Sequence, residues 1–212
     1  MRKMLLTSAG FTTPHITEAF LRLLDQSPLK STAVIITTAA VQLRSQARPN
    51  VKAKQALENM GFQRVDFLDI EFEDAERLRE YDVICLGGGN PFYLLHHLRV
   101  SGSDRIIEEL GSQGKVLMGI SAGTLALGPD IHIVDHFTPY MNQVGLTDLT
   151  ALHLNNEIVF PHYGREDKFP HEKNIEERIQ DFEAKQQCEV QRITDVEAIC
   201  IHGGVTCFIP KN

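Results

Sequence analysis

The pentapeptide Gly119-Ile120-Ser121-Ala122-Gly123 carries the clearest chemistry in the chain. It directly follows the apolar, β-branched run Val116 to Ile120 and directly precedes the helix-compatible run Thr124 to Leu127. A serine at such a strand-to-helix switch stands on a sharp turn that exposes its hydroxyl, the arrangement of a nucleophile elbow. Glycines two positions to either side remove side chains that would collide at that turn. The helix N-terminus beyond it offers the Ala122 N–H to a developing oxyanion.

A second glycine cluster, Gly87-Gly88-Gly89-Asn90-Pro91, follows the buried run Val83 to Leu86 and opens another helix, with Pro91 suited to its first turn. Bare N–H groups at a strand's carboxyl end suit a phosphate or an oxyanion. The dinucleotide fingerprint is not completed, since Phe92 stands where its last glycine belongs, and no Walker lysine follows. Gly88 or Gly89 as a second oxyanion donor therefore explains the cluster better than a nucleotide; a tight turn with a helix cap is the alternative. Asn90 is a candidate substrate contact beside it.

Serine needs a base, and the base needs an orienting acid. Of nine histidines, His162 in Phe160-Pro161-His162-Tyr163 ends a predicted strand, where side chains converge on the crevice of an α/β sheet. His15, His96, His97 and His171 fall on predicted helices, where solvent exposure is the default. His132 and His136 are spaced like a metal pair but lie on a strand-like run. No metal or other cofactor is expected.

These residues need a scaffold, and the hydrophobic pattern supplies one. Met4 to Ser8, Ala33 to Thr37, Val65 to Leu68, Val83 to Leu86 and Val116 to Ile120 are mostly continuous apolar runs, the mark of strands covered on both faces. Between them lie helical patterns: Thr13-Pro14 as N-cap and N1 before Ile16, Phe20, Leu23 and Leu24, then Ser45 to Met60, Asn90 to Val100 and Asp104 to Leu110. The alternation predicts an α/β fold, a mostly parallel sheet with helices on both faces. After Gly128 the pattern changes to short strands (Ile131 to Val134, Glu157 to Phe160, Ala198 to Ile201, Val205 to Ile209), with a hairpin turn at His202-Gly203-Gly204 and one helix carrying Ile175, Ile179 and Phe182. No repeat or linker divides the 212 residues, and a single domain over 1–212 is expected.

Composition narrows the partners. Twenty-eight acidic against 21 basic residues give a net charge of −7, which disfavours nucleic acid and anionic membranes and favours a small soluble ligand. No apolar stretch approaches the ~20 residues of a spanning helix, and Met4-Leu5-Leu6 is too short for a signal-peptide core. Cys85, Cys188, Cys200 and Cys207 show no C-x-x-C spacing, which predicts reduced thiols and a cytoplasmic location.

Taken in order, Gly87-Gly88-Gly89-Asn90, then Gly119 to Gly123, then Pro161-His162, then a helix with Glu177-Arg178-Ile179 resemble the peptidase E (α-aspartyl dipeptidase) family of serine peptidases. The resemblance spans nearly the whole chain. It implies a fold similar to class I glutamine amidotransferases, flavodoxin-like and three-layered, with serine in place of the amidotransferase cysteine. It implies a Ser, His, Glu triad that carries over to Ser121, His162 and Glu197. Asp135 is the rival acid, because the family also carries an acidic residue some fourteen positions after its serine. The aspartyl dipeptidases resemble one another in an arginine that could pair an acidic substrate side chain; here that position is Ile175. Strict preference for an N-terminal Asp is therefore not expected, and neutral or apolar residues are favoured. Arg165, Lys168 and Lys173 lie nearby as replacements, Arg165 being the second candidate substrate contact.

The expected function is a serine peptidase of short peptides working through an acyl-enzyme. Two alternatives stand beside it: a silent relative that binds an amino acid or small peptide, and an esterase with a similar elbow, in which the acid would precede the histidine.

Overall fold

The computed structural model describes residues 1–211. Strands β1 (Lys3–Thr7), β2 (Thr32–Ile36), β3 (Arg64–Leu68), β4 (Val83–Leu86) and β5 (Val116–Ile120) form a parallel array in the order β3-β2-β4-β5-β1. Strands β8 (Ala198–His202) and β9 (Val205–Ile209) extend it antiparallel beyond β1, making seven strands. The two-residue turn between them, Gly203-Gly204, has φ of 63° and 83° at its centre, the left-handed pair that a tight hairpin demands. A separate parallel pair, β6 (Ile158–Pro161) and β7 (Val190–Ile193), stands beside the sheet.

Alternate strand residues feed two cores. Met4, Leu6, Val34, Ile36, Ile84, Leu86 and Leu117 face one side, against Leu94 and Leu98 of α3 (Pro91–Val100) and Ile106, Ile107 and Leu110 of α4 (Ser103–Ser112). Leu5, Ala33, Ile35, Val83, Cys85 and Met118 face the other, against Ile16, Ala19 and Phe20 of α1 (Pro14–Leu21) and Ala53 and Leu57 of α2 (Arg48–Asn59). Each such side chain contributes roughly 1.5–3 kcal/mol on burial. Thr13 caps α1 as its sequence predicts, its Oγ1 accepting from Ile16 N at 3.3 Å, a contact worth about 1 kcal/mol. This is the mostly parallel α/β sandwich expected from the sequence.

A third apolar cluster lies under the crevice and joins Leu125 of α5 (Ala122–Leu127), Ile133, Val134 and Phe137 of α6 (His132–Phe137), Phe160, and Ile175, Ile179 and Phe182 of α7 (Ile175–Gln186). Here one sequence expectation is corrected, because Ile131 to Val134 is not a strand. Asp130 Oδ1 accepts from His132 N at 2.9 Å and opens α6. Ile133, Val134 and Phe137 then share one helical face over the cluster, while His132 and Asp135 are exposed. The 3.6-residue period of that apolar face outweighs the β-branched composition. Among the described residues, no helix is long and apolar enough to cross a membrane.

Candidate active site

Ser121 occupies the turn between β5 and α5 at φ 51°, ψ −105°, a backbone region costly to a residue with a Cβ. Its surroundings hold it there. Ser121 N donates to Thr7 O at 2.9 Å, Thr124 Oγ1 donates to the same carbonyl at 2.8 Å, and Thr7 N donates to Thr124 Oγ1 at 3.0 Å. The elbow is thus tied to the end of β1. A Cβ on Gly123 would lie 2.0 Å from Leu86 O, and one on Gly119 would lie 2.5 Å from the Thr124 backbone. Both glycines are needed for α5 to pack this close to β4 and β5.

The Gly87–Gly89 loop stands at the end of β4, beside the elbow. A Cβ on Gly88 would reach within 3.5 Å of Ser121 Cβ, and Gly89, at φ 148°, has Ala39 O 2.0 Å from where its Cβ would be. Neither glycine N–H is used in a hydrogen bond among the described residues. Ala122 is the first residue of α5, so its N–H has no intrahelical acceptor. Gly88 and Gly89 line the same cleft as Ser121, and Ala122 adjoins it, so these donors stand near the Ser121 hydroxyl.

His162 follows β6 directly and also has positive φ, 62°. Its N–H donates to Ser8 Oγ at 3.0 Å, and Ser8 Oγ donates to Ile193 O at 2.9 Å, which locks the turn to β1 and β7. The ring then points Nε2 at Ser121 Oγ, 3.0 Å away. Its Nδ1 forms a short hydrogen bond with Asp195 Oδ1, and the other oxygen of that carboxylate accepts from Arg165 Nη1 at 2.7 Å. Burial lowers the proton affinity of His162, the Asp195 hydrogen bond opposes it, and the charges of Lys168 and Arg165 add to the lowering. The balance lies below the ordinary imidazole value, so the ring is neutral near pH 7 and able to accept a proton. Burial disfavours the charged form of Asp195, but hydrogen bonds from His162 and Arg165 outweigh it and hold its carboxyl below the usual range.

The carboxylate at His162 is therefore Asp195, and the expectation for Glu197 is corrected. Glu197 Oε2 turns back to accept from Thr194 N at 2.9 Å and Thr194 Oγ1 at 2.8 Å, closing the turn on which Asp195 stands. Asp135 is exposed on α6 and does not line the cleft. Asn90 is absent from the lining as well: its Oδ1 accepts from Tyr93 N at 3.2 Å as the α3 cap, and its Nδ2 donates to Met141 O at 2.8 Å. Arg165 does line the cleft, with its guanidinium shared between Asp195 and Asp167.

The sequence does not single out Asp195, because its placement depends on β7, which carries only a weak sequence signal. Pro161 and Ile193 are register partners in the β6–β7 pair, so His162, one residue on, and Asp195, two residues on, emerge side by side. Val190-Gln191-Arg192-Ile193 is the signal that could have found it, an apolar–polar alternation too short to stand out.

The cleft encloses about 690 Å³. One wall is apolar, built from Leu125, Ile133, Phe137, Met141, Phe160 and Phe169. Ile175 does not reach it. It is buried behind the wall, in the cluster that includes Phe160 and Phe137, so the apolar surface facing a substrate comes from other residues than the sequence suggested. Arg178, also buried, donates to Phe137 O at 2.9 Å and lies 4.0 Å over the Phe137 ring, fixing the wall from below.

The model of peptidase family S51 matches residues 4–208. The chain belongs to that family, the peptidase E family, and is a serine-type peptidase. An uncharacterized peptidase of Listeria monocytogenes is 33% identical over 154 residues, covering 71% of this chain and 72% of that one. A crystal structure from Listeria monocytogenes EGD-e that carries the peptidase E name superposes with a TM-score of 0.77 at 28% identity, over 98% of both chains. A peptidase from an acI-B1 Actinobacterium gives 0.65 at 19% identity, covering 95% of this chain and 84% of that one, and shares the fold. The family fold is the class I glutamine amidotransferase-like one, as expected.

Proposed function

We propose that this S51 peptidase hydrolyses short peptides through a Ser121, His162, Asp195 triad, and that its acyl-side residue is apolar or neutral. The observation that carries the reading is the continuous hydrogen-bonded line from Ser121 Oγ through His162 to Asp195, on an elbow whose hydroxyl opens into the cleft. As His162 Nε2 takes the Ser121 proton, Oγ bonds to the scissile carbonyl carbon and the Gly88 or Gly89 and Ala122 amides receive the oxyanion. His162 returns the proton to the leaving nitrogen as the C–N bond breaks. Water, deprotonated by the same ring, then releases the acyl group and restores Ser121. Asp195 keeps the Nδ1 proton in place throughout and stabilises the imidazolium, and Arg165 holds Asp195.

The apolar wall favours a leucine-like or aromatic side chain over aspartate, since none of the six residues that build it carries a charge, the cleft's cations lying outside it. A small peptide is the partner this cleft suits. The four cysteines are free thiols, which fits a reducing compartment, and we place the activity in the cytoplasm. The test is steady-state hydrolysis of a dipeptide panel by the wild type and by Ser121→Ala and His162→Ala. Turnover by the wild type and its loss in both variants supports the triad; wild-type turnover that survives Ser121→Ala refutes it.

A further inference from the structure

The charges around the cleft are one-sided. Arg48, Lys52, Arg165 and Lys168 line it, whereas Asp195 is its one acidic residue among the described residues, and that carboxylate is taken by His162 and Arg165. Arg165 is itself shared with Asp167. Arg48, Lys52 and Lys168 form no ion pair among the described residues, in a chain whose net charge is −7. A substrate ammonium finds no free anion here, while a substrate carboxylate finds unpaired cations.

We propose that Lys168 captures the α-carboxylate of the departing residue, so that the site cleaves the last peptide bond before a free C-terminus. The inference rests on the serine peptidase reading above. In that mechanism the leaving nitrogen takes its proton from His162 Nε2, so the departing residue sits on the His162 side of the cleft. Lys168 belongs to that side. Arg165 N donates to His162 O at 2.9 Å, and Lys168 N donates to Arg165 O at 2.9 Å, so two consecutive turns fix the lysine backbone relative to the base. Its charge reaches the ring, where it adds to the forces that keep His162 neutral. Arg48 and Lys52 belong to α2, which follows β2 on the far side of the elbow and the glycine loop.

The substrate geometry fits this placement. In a C-terminal residue only Cα separates the leaving nitrogen from the carboxylate, so a cation beside the imidazole can meet that carboxylate while the nitrogen is being protonated. A longer peptide would present an uncharged amide at the same point. The lysine is exposed at the rim, where a flexible ammonium can close on a carboxylate after the peptide enters.

Leu-Leu and its C-terminal amide separate the outcomes, measured with wild type, Lys168→Gln and Lys168→Arg. Wild type is expected to cleave the free acid at least tenfold faster in kcat/KM than the amide. At a pH on the plateau above the His162 limb, where loss of the lysine charge leaves the base neutral, Lys168→Gln should lower the acid value at least fivefold while leaving the amide value within twofold, and Lys168→Arg should restore most of the loss. Equal wild-type rates on acid and amide, or an equal fall on both in Lys168→Gln, would overturn the proposal. Covalent labelling of Ser121 by a fluorophosphonate distinguishes the two levels. Labelling with acid and amide cleaved at equal rates overturns the carboxylate proposal alone, labelling with neither cleaved overturns the apolar-peptide reading with it, and absence of labelling overturns the serine reading on which both rest.

Discussion

Replacing Asp195 by Asn tests the assignment of the acid. Asp195 gives His162 a negatively charged acceptor at Nδ1 and gives Arg165 a partner at 2.7 Å. An asparagine keeps the shape, but it lacks the charge that stabilises the imidazolium, and its amide can donate to Nδ1 and force the proton onto Nε2, where it blocks proton transfer from Ser121. The same change in a serine protease triad costs about 10⁴ in kcat, close to 5.4 kcal/mol of transition-state stabilisation at 1.36 kcal/mol per decade. Glu197→Gln, in contrast, keeps an acceptor for Thr194, and its kcat should stay within twofold of wild type. Glu197→Ala removes two hydrogen bonds from the turn, a loss of about 1–2 kcal/mol, with a fall of a few degrees in Tm for a chain of this size. Peptide hydrolysis and thermal unfolding of the three variants are the assay. An active Asp195→Asn together with an inactive but folded Glu197→Gln would refute the assignment.

Because burial holds His162 below its ordinary value and the neutral ring is the base, kcat/KM of the wild type should rise with pH through a midpoint below 6.5; a limb centred above 7 would contradict the lowered proton affinity. Gly123→Ala would put a methyl 2.0 Å from Leu86 O, a backbone atom, and should cost about 3 kcal/mol or more in urea unfolding along with most activity; a stable, active variant would show that the elbow packs differently. Arg178→Ala should raise KM for apolar dipeptides more than it lowers kcat, since it frees Phe137 from a hydrogen bond and a ring contact, and an unchanged KM would count against the wall as the side-chain pocket. Leu-Leu should exceed Asp-Leu at least tenfold in kcat/KM; the reverse order would assign one of the cleft cations to an acidic side chain.

The parallel sheet was legible because its strands are continuous apolar runs, and Ser121 because two glycines and an adjoining helix single it out. His162 was legible as a strand-end histidine. Asp195 was not, because its position depends on pairing between β6 and β7, two short strands whose last members, Pro161 and Ile193, lie 32 residues apart in the chain. Motif order points to Glu197 instead, but it carries no information about which way a turn carboxylate points. Ile131 to Val134 has the pattern of a strand because four residues are too few to separate a strand from the first turn of a helix. The role of Ile175 was half legible: its apolar character matches the wall, but only the packing shows that Phe137 and Phe160 of its cluster line the cleft and Ile175 does not.

The central claim is that Ser121 is an activated nucleophile. Incubation of wild type, Ser121→Ala and His162→Ala with a fluorophosphonate, followed by peptide mapping in a mass spectrometer, tests it without knowledge of the substrate. The account predicts one adduct on Ser121 in the wild type, none in Ser121→Ala, and labelling at least 10²-fold slower in His162→Ala, the low end of what general-base assistance contributes. A wild-type protein that stays unlabelled, or an adduct that maps to another residue, would contradict it.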